Sequence, residues 1–259
     1  MQENKIEETI KKLRETFISS GKMCLELRKK GLKTQIKSDN TPVTNGDLEV
    51  NEKLCKKISE LTPDIPIVSE ETVNLNEKII SKNFWLVDPI DGTNDYINNR
   101  DEFTLNAALI LNCQPAAGII YAPAKKRLFY SYGMGNAYEE SNNKIIKLNC
   151  KKKNKDNQVI ALSNSNRPSG IIAEIHKKYS VSEFFNMRSS LKFCVIASGE
   201  FDLYTANARA KEWDIAAGHA IVKHASGIMT DQNNEEFKYG KDKYKNTSLL
   251  VLRSKDLFK

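Results

Sequence analysis

Apolar residues recur at helical spacing near the N-terminus, at Ile6, Ile10, Leu13, Phe17 and Cys24, and Gly31 stops the pattern. This predicts an amphipathic helix. After the polar stretch Lys37-Ser38-Asp39-Asn40-Thr41-Pro42, a second helix is marked by Val50, Leu54, Ile58 and Leu61 and closed by Pro63. Thr44, followed three residues later by Asp47, resembles a capping box with Asp in place of Glu. Ile65-Pro66-Ile67-Val68 and Phe84 to Val87 read as short buried strands. Each runs directly into acidic residues, Ser69-Glu70-Glu71 in the first case and Asp88 in the second.

Residues 103–111, 115–122, 127–132 and 136–140 read as successive strands with little helix between them, which predicts an antiparallel sheet. Residues 141–157 are polar and rich in Lys and Asn, as in a boundary or a long loop. Strand and helix then alternate. Val159 to Leu162, Glu183 to Asn186, Asp202 to Thr205, 228–231 and 247–252 are the strands; 169–178, 190–199 and 213–225 are the helices. The pattern predicts an α+β half over 1–150 followed by an α/β half over 151–259, packed closely as one structural unit.

Composition narrows the class. With 40% hydrophobic and 28% charged residues, the 259-residue chain reads as a globular protein with ample core. Its longest apolar run, around Leu109-Ile110-Leu111, falls far short of the roughly 20 residues of a membrane span. The charged start Met1-Gln2-Glu3-Asn4-Lys5 does not resemble a secretory signal, so a cytoplasmic protein is expected, with no integral membrane association. The five cysteines (Cys24, Cys55, Cys113, Cys150, Cys194) include no CxxC pair and read as free thiols. The net charge of +7 suits a polyanionic ligand. Lys and Asn are abundant throughout, however, and the basic run Lys151-Lys152-Lys153 with Lys155 has no interleaved aromatics, so no nucleic-acid partner is expected. His176, His219 and His224 lack metal-ligand spacing with a third partner and read as structural.

Asp88-Pro89-Ile90-Asp91-Gly92-Thr93 carries the most chemistry. It follows a strand, and Pro89 is expected to turn the chain so that both carboxylates face one point. Carboxylates held together repel, a divalent cation relieves the repulsion, and hard oxygen ligands select Mg²⁺ or Mn²⁺. Gly92 lets backbone N–H groups approach an anion. Glu70-Glu71 also follows a strand, and Trp213-Asp214 opens a helix. Singly, Asp214 and Asp47 have an ordinary reading as helix N-terminal acids.

Together these segments resemble the inositol monophosphatase superfamily: Asp88 to Thr93, Glu70-Glu71, and Trp213-Asp214-Ile215-Ala216-Ala217-Gly218. Residues 38–44 with Asp47, 61–71, 102–110 and Ser189-Ser190-Leu191-Lys192-Phe193-Cys194 are similar, more narrowly, to 3′(2′),5′-bisphosphate nucleotidases of the bacterial CysQ type. The resemblance implies a layered αβαβα sandwich of the sugar-phosphatase type, with a mixed sheet in the second half. It implies a site with two or three Mg²⁺ ions, Mn²⁺ being a substitute. Glu70, Asp88 and the Ile90 carbonyl would hold the first ion; Asp88, Asp91 and Asp214 would hold the second. Asp47, Thr93 and Glu70 would be catalytic, with Asp47 behind Thr93 as a relay that activates the attacking water.

The backbone at Gly92 and Thr93, with Asn94, would bind the phosphate. Ser163, Ser165, Ser190, Lys192, Arg209 and Asp214 would contact the substrate, with Lys211 a nearby cation. The implied reaction is hydrolysis of the 3′-phosphate of adenosine 3′,5′-bisphosphate in sulfur assimilation, with inhibition by lithium, by a monomer or homodimer. The alternatives are an inositol-1-phosphate or sugar-phosphate phosphatase, and a non-catalytic phosphate-binding regulator. The sequence departs from the narrower pattern at three places. Asn94-Asp95-Tyr96 stands where Lys-Glu-Phe is usual, Leu162-Ser163-Asn164-Ser165-Asn166 has Asn where a His often stands, and Gly46 replaces a usual Ala.

Overall fold

The computed structural model describes residues 1–37, 40–77, 81–150 and 158–257; the basic run at 151–155 and residues Ser38 and Asp39 lie outside them. Helix α1 (Glu3–Lys30) buries Ile6, Ile10, Leu13, Phe17 and Cys24 along one stripe, the spacing that brings residues onto one helical face. An antiparallel hairpin, β1 (Thr34–Ile36) with β2 (Pro42–Thr44), follows where only a polar stretch was expected. Strand β1 is exposed throughout, so it shows none of the hydrophobic alternation by which strands are recognised.

Helix α2 (Asn45–Leu61) begins at the expected capping box. The Thr44 N–H donates to Asp47 Oδ2 at 2.8 Å, and the Gly46 and Asp47 N–H groups donate to Thr44 Oγ1. Strand β3 (Ile67–Ser69), β4 (Phe84–Asp91) and the short helix α3 (Thr93–Ile97) lead to four antiparallel strands: β5 (Thr104–Leu111), β6 (Gln114–Ala122), β7 (Arg127–Ser131) and β8 (Ala137–Ser141). A further strand, β9 (Lys144–Lys147), occupies part of the expected loop. All four of its residues are exposed at the sheet edge, which is why it reads as polar linker. The seven-stranded sheet runs β3-β4-β5-β6-β7-β8-β9 and is antiparallel except for the β3–β4 pair.

The second half contains β10 (Val159–Ser163), α4 (Ile171–Lys178), β11 (Val181–Asn186), α5 (Leu191–Ala197), β12 (Leu203–Ala206), α6 (Glu212–His224), β13 (Ile228–Thr230) and β14 (Leu249–Leu252). Its five-stranded sheet has the order β11-β10-β12-β14-β13. Pairs β10–β11 and β10–β12 are parallel, and the pairs to β14 are antiparallel.

The elements stack in five layers. Trp85 and Val87 on β4 pack with Leu13, Phe17, Leu54 and Ile58 of α1 and α2. Phe84 and Leu86, on the opposite face, pack with α5 and α6 residues Phe193, Ile196, Ala217 and Ile221, and this cluster continues to Leu162, Tyr204 and Val251 of the second sheet. Ile175 of α4 covers the far face of that sheet over Ala161, Leu203 and Leu250. The order α1/α2, large sheet, α5/α6, small sheet, α4 is an αβαβα sandwich. Strands β4 and β5, covered on both faces, are almost continuously apolar for that reason. Among the described residues all five cysteines are free thiols, and no helix is long and apolar enough to cross a membrane.

Candidate active site

Strand β4 does not turn at Pro89 as the sequence suggested; it continues to Asp91 through a bulge. Asp88 pairs with Asn106 and Asp91 with Thr104, so three steps on β4 match two on β5. Residues three apart on a regular strand point to opposite faces. The extra residue cancels that parity, and Asp88 and Asp91 share a face. Proline is tolerated at such a bulge because no ladder N–H is needed there. The register of the parallel β3–β4 pair, Ser69 beside Val87, sets Glu70 beside Asp88, and the Glu70 N–H donates to the Val87 carbonyl at 3.0 Å. Asp214 arrives from the first turn of α6. One of its oxygens accepts the Lys211 N–H at 2.8 Å, so its ordinary helix-cap role holds alongside any other.

Glu70, Asp88 and Asp214 each bring a carboxylate oxygen within 4.8 Å of the others. Asp91 lies outside that tightest trio but lines the same cavity. Asp88 is 1% exposed, and among the described residues its Oδ1 has no hydrogen-bond partner. Burial first, and then the charges of Glu70, Asp91 and Asp214, push its carboxyl well above the usual range. Asp214 is pushed up to about 8 by burial, Asp91 and Glu70. Asp91 is raised by burial, while Lys192, the Ser190 N–H and Arg209 draw it back. A buried carboxylate oxygen without a donor, among mutually repelling carboxylates, is the environment a hard divalent cation relieves. The residues present therefore fit Mg²⁺ or Mn²⁺.

Asp47 divides its carboxylate between two tasks. Oδ2 accepts from the Thr44 N–H and hydroxyl, and Oδ1 accepts from the Thr93 hydroxyl at 3.1 Å. The Thr93 hydroxyl also lies 3.1 Å from the Ile90 carbonyl, and its single hydrogen serves one of these acceptors at a time. Burial raises the Asp47 carboxyl, against the donors from Thr44. Gly92, at φ +93°, starts α3; a Cβ there would meet the Glu102 carbonyl at 2.9 Å. The first N–H groups of α3 have no intrahelical acceptor and adjoin the carboxylates.

A cavity of about 510 Å³ opens over these residues, lined also by Thr41, Asn94, Asn164, Arg188, Lys192 and Arg209. A side chamber shares Asp91, Lys192, Arg209 and Asp214 and adds Phe193, Tyr204 and Asn207. Lys192, which reads equally as a solvated helix residue, is at the site: Nζ donates to the Ser189 carbonyl at 2.6 Å and lies over the Tyr204 ring.

Three expected contacts, and the nearby cation Lys211, do not line the cavity. The Ser163 hydroxyl is buried beneath the loop and accepts the Ser165 N–H, while the Ser165 hydroxyl accepts the Arg167 N–H. Asn164 faces the cavity instead, because alternate residues at a strand end point to opposite sides. The Ser190 hydroxyl donates to Asn106 and pairs with Thr104, so only its N–H reaches Asp91. Lys211 turns its ammonium to the Lys243 carbonyl at 3.0 Å.

Sequence reasoning missed Lys37, which lies 3.0 Å from Glu70 and 2.8 Å from Glu71, because its hairpin was not foreseen. It also missed Arg188, although that residue adjoins the quoted Ser189-Ser190 segment. Two of the departures are one adjustment. A Cβ at Gly46 would come within 2.5 Å of the Tyr96 hydroxyl, which donates to the Cys24 carbonyl, so tyrosine at 96 goes with glycine at 46. His219 pairs with Tyr239 and His224 with Ser131, while the His176 ring packs against Phe184.

A sequence profile of the inositol monophosphatase family matches residues 5–256. The chain is 36% identical over 216 residues to the 3′(2′),5′-bisphosphate nucleotidase CysQ of Buchnera aphidicola, covering 81% of this chain and 78% of that one. It is 34% identical over 210 residues to the enzyme of the same name from Aggregatibacter actinomycetemcomitans, covering 80% and 78%. Among solved structures it is similar to CysQ from Bacteroides thetaiotaomicron, described as a bacterial member of the inositol monophosphatase family, with a TM-score of 0.74 and 28% identity over 92% of this chain and 94% of that one.

Proposed function

The chain belongs to the inositol monophosphatase family, and on that premise we propose that it is a Mg²⁺-dependent phosphatase that removes the 3′-phosphate of adenosine 3′,5′-bisphosphate. The observation that carries the reading is the donorless Asp88 oxygen beside Glu70 and Asp214, next to the Thr93–Asp47 pair. Glu70, Asp88 and the Ile90 carbonyl would hold one ion; Asp88, Asp91 and Asp214 would hold another. When bound, such ions offset the carboxylate charge, polarise the phosphoryl group and acidify a water.

The chain's own groups do the rest. The Thr93 hydroxyl donates to Asp47 and so turns a lone pair to the cavity, where it can accept from the attacking water. A threonine hydroxyl is no base near neutral pH. Asp47 behind it, raised by burial, is the group that can take the proton. Backbone N–H groups at Gly92, Thr93 and Asn94 orient the ester, and Lys192 and Arg209 supply positive charge beside Asp91. The aromatic side chamber with Asn164 and Asn207 supports a nucleoside as the remainder of the substrate, and the CysQ relatives support the same choice.

Side-by-side phosphate release with Mg²⁺ tests this. The nucleotide should be hydrolysed faster than inositol 1-phosphate, chelation should abolish both activities, and Li⁺ should inhibit. Faster turnover of inositol 1-phosphate would overturn the substrate assignment. Full activity after chelation would overturn the metal site.

A further inference from the structure

Among the described residues three cations line the main cavity, and they are held differently. Lys192 and Arg209 also line the side chamber with Asp91 and Asp214, on the carboxylate side. Arg188 lines only the main cavity. Its backbone is fixed: the N–H donates to Glu102 at 3.0 Å, and the next residue, Ser189, is held at φ +53°. Its head is loose: the side chain is 50% exposed, and among the described residues its one polar side-chain contact is from Nη1 to Asp95 Oδ1 at 3.3 Å.

Asp95 does not depend on that contact. The same Oδ1 lies 3.2 Å from Arg100 Nη1, so Arg188 can leave without stranding a buried carboxylate, the step that is otherwise costly. Asp95 is in the first turn of α3, close to the backbone N–H groups at its start. An anion held by Arg188 would therefore lie beside the reacting phosphate, in the main cavity. A guanidinium with a fixed stem and a replaceable partner suits bidentate binding of a phosphate.

We propose that Arg188 is a specificity residue, exchanging Asp95 for the second, non-reacting phosphate of a bisphosphorylated substrate. This rests on the nucleotidase reading above and deepens it. The test compares adenosine 3′,5′-bisphosphate with 3′-AMP as probes, using the Mg²⁺-loaded enzyme and its Arg188→Gln and Arg188→Lys variants. A charge-assisted contact predicts that Arg188→Gln lowers the ratio of kcat/KM for the bisphosphate over the monophosphate by about tenfold, through KM, with Arg188→Lys between it and the wild type. A purely structural role would lower both substrates in proportion and reduce the melting temperature; that result, or an unchanged ratio, overturns the proposal. If the wild type shows no preference for the bisphosphate over 3′-AMP, the role of Arg188 is overturned while phosphatase activity stands. If inositol 1-phosphate outruns both nucleotides, the substrate reading fails as well.

Discussion

Two of the regions where this chain buries carboxylates are treated oppositely by the fold. In the second sheet, Asp202 is fully buried and saturated. It accepts from the Ile160 N–H at 2.8 Å and from the Arg253 guanidinium, and its carbonyl takes the Arg253 N–H. Glu212, also fully buried, takes the Gly240 and Lys241 N–H groups and the Lys241 ammonium. At the end of β4, Asp88 is as deeply buried, yet it has an oxygen with no donor and carboxylates for neighbours. A buried charge that is fully paired holds architecture together; one left unpaired by its own fold marks a place for a ligand of opposite charge.

The same chemical change, carboxylate to amide, should therefore have opposite consequences in the two regions. Asp88→Asn is expected to lower Mg²⁺-dependent kcat by roughly four orders of magnitude or more, the scale of losing an essential charged group. It should raise the melting temperature of the metal-free protein, because a buried repulsion is removed. Phosphate release and a thermal melt in chelator check both. Asp47→Asn should lower kcat by about 10²–10⁴-fold, the usual worth of a general base, and should flatten the acid limb of the pH–rate profile; an unchanged limb would place the base elsewhere. Asp202→Asn leaves Arg253 buried and unpaired. It should cost about 3–5 kcal/mol in denaturant melts, while the kcat of the protein that remains folded stays close to the wild type.

The smallest effect lies further along α6, where saturation extends to neutral groups. Burial, with Lys223 next to them, depresses His219 to about 3 and His224 to about 4 from the usual 6.5. Between 6.5 and those values the unfolded chain binds more protons than the folded one, so stability falls as pH falls. Each histidine should remove about 2 kcal/mol by pH 5. Replacing His219 by Gln should shrink the loss seen between pH 7 and pH 5; an unaltered loss would show that the ring is charged in the fold.

What could be read in the sequence was what is local. The capping box at Thr44 and Asp47 and the apolar stripe of α1 depend on neighbours within a turn. The convergence of Asp88 and Asp91 was foreseen for the wrong reason, since the bulge that aligns them is a property of pairing with β5. The β1–β2 hairpin and β9 carry no hydrophobic alternation, so they left no trace, and Lys37 went unnoticed with the hairpin. The second half was harder. Whether Ser163 or Asn164 faces the cavity depends on the strand parity at which β10 ends, and the Ser190 hydroxyl is claimed by Asn106, 84 residues away in sequence. Positions fixed by one element's own chemistry were legible, and those fixed by contact across layers were not.

On this reading the Asp88 oxygen lacks a donor because it is a cation ligand. Anomalous diffraction from crystals soaked in Mn²⁺ tests it most directly. The account predicts a peak among Glu70, Asp88 and Asp214 that disappears in Asp88→Asn. Mn²⁺ bound elsewhere, or a peak that persists in the variant, would contradict it.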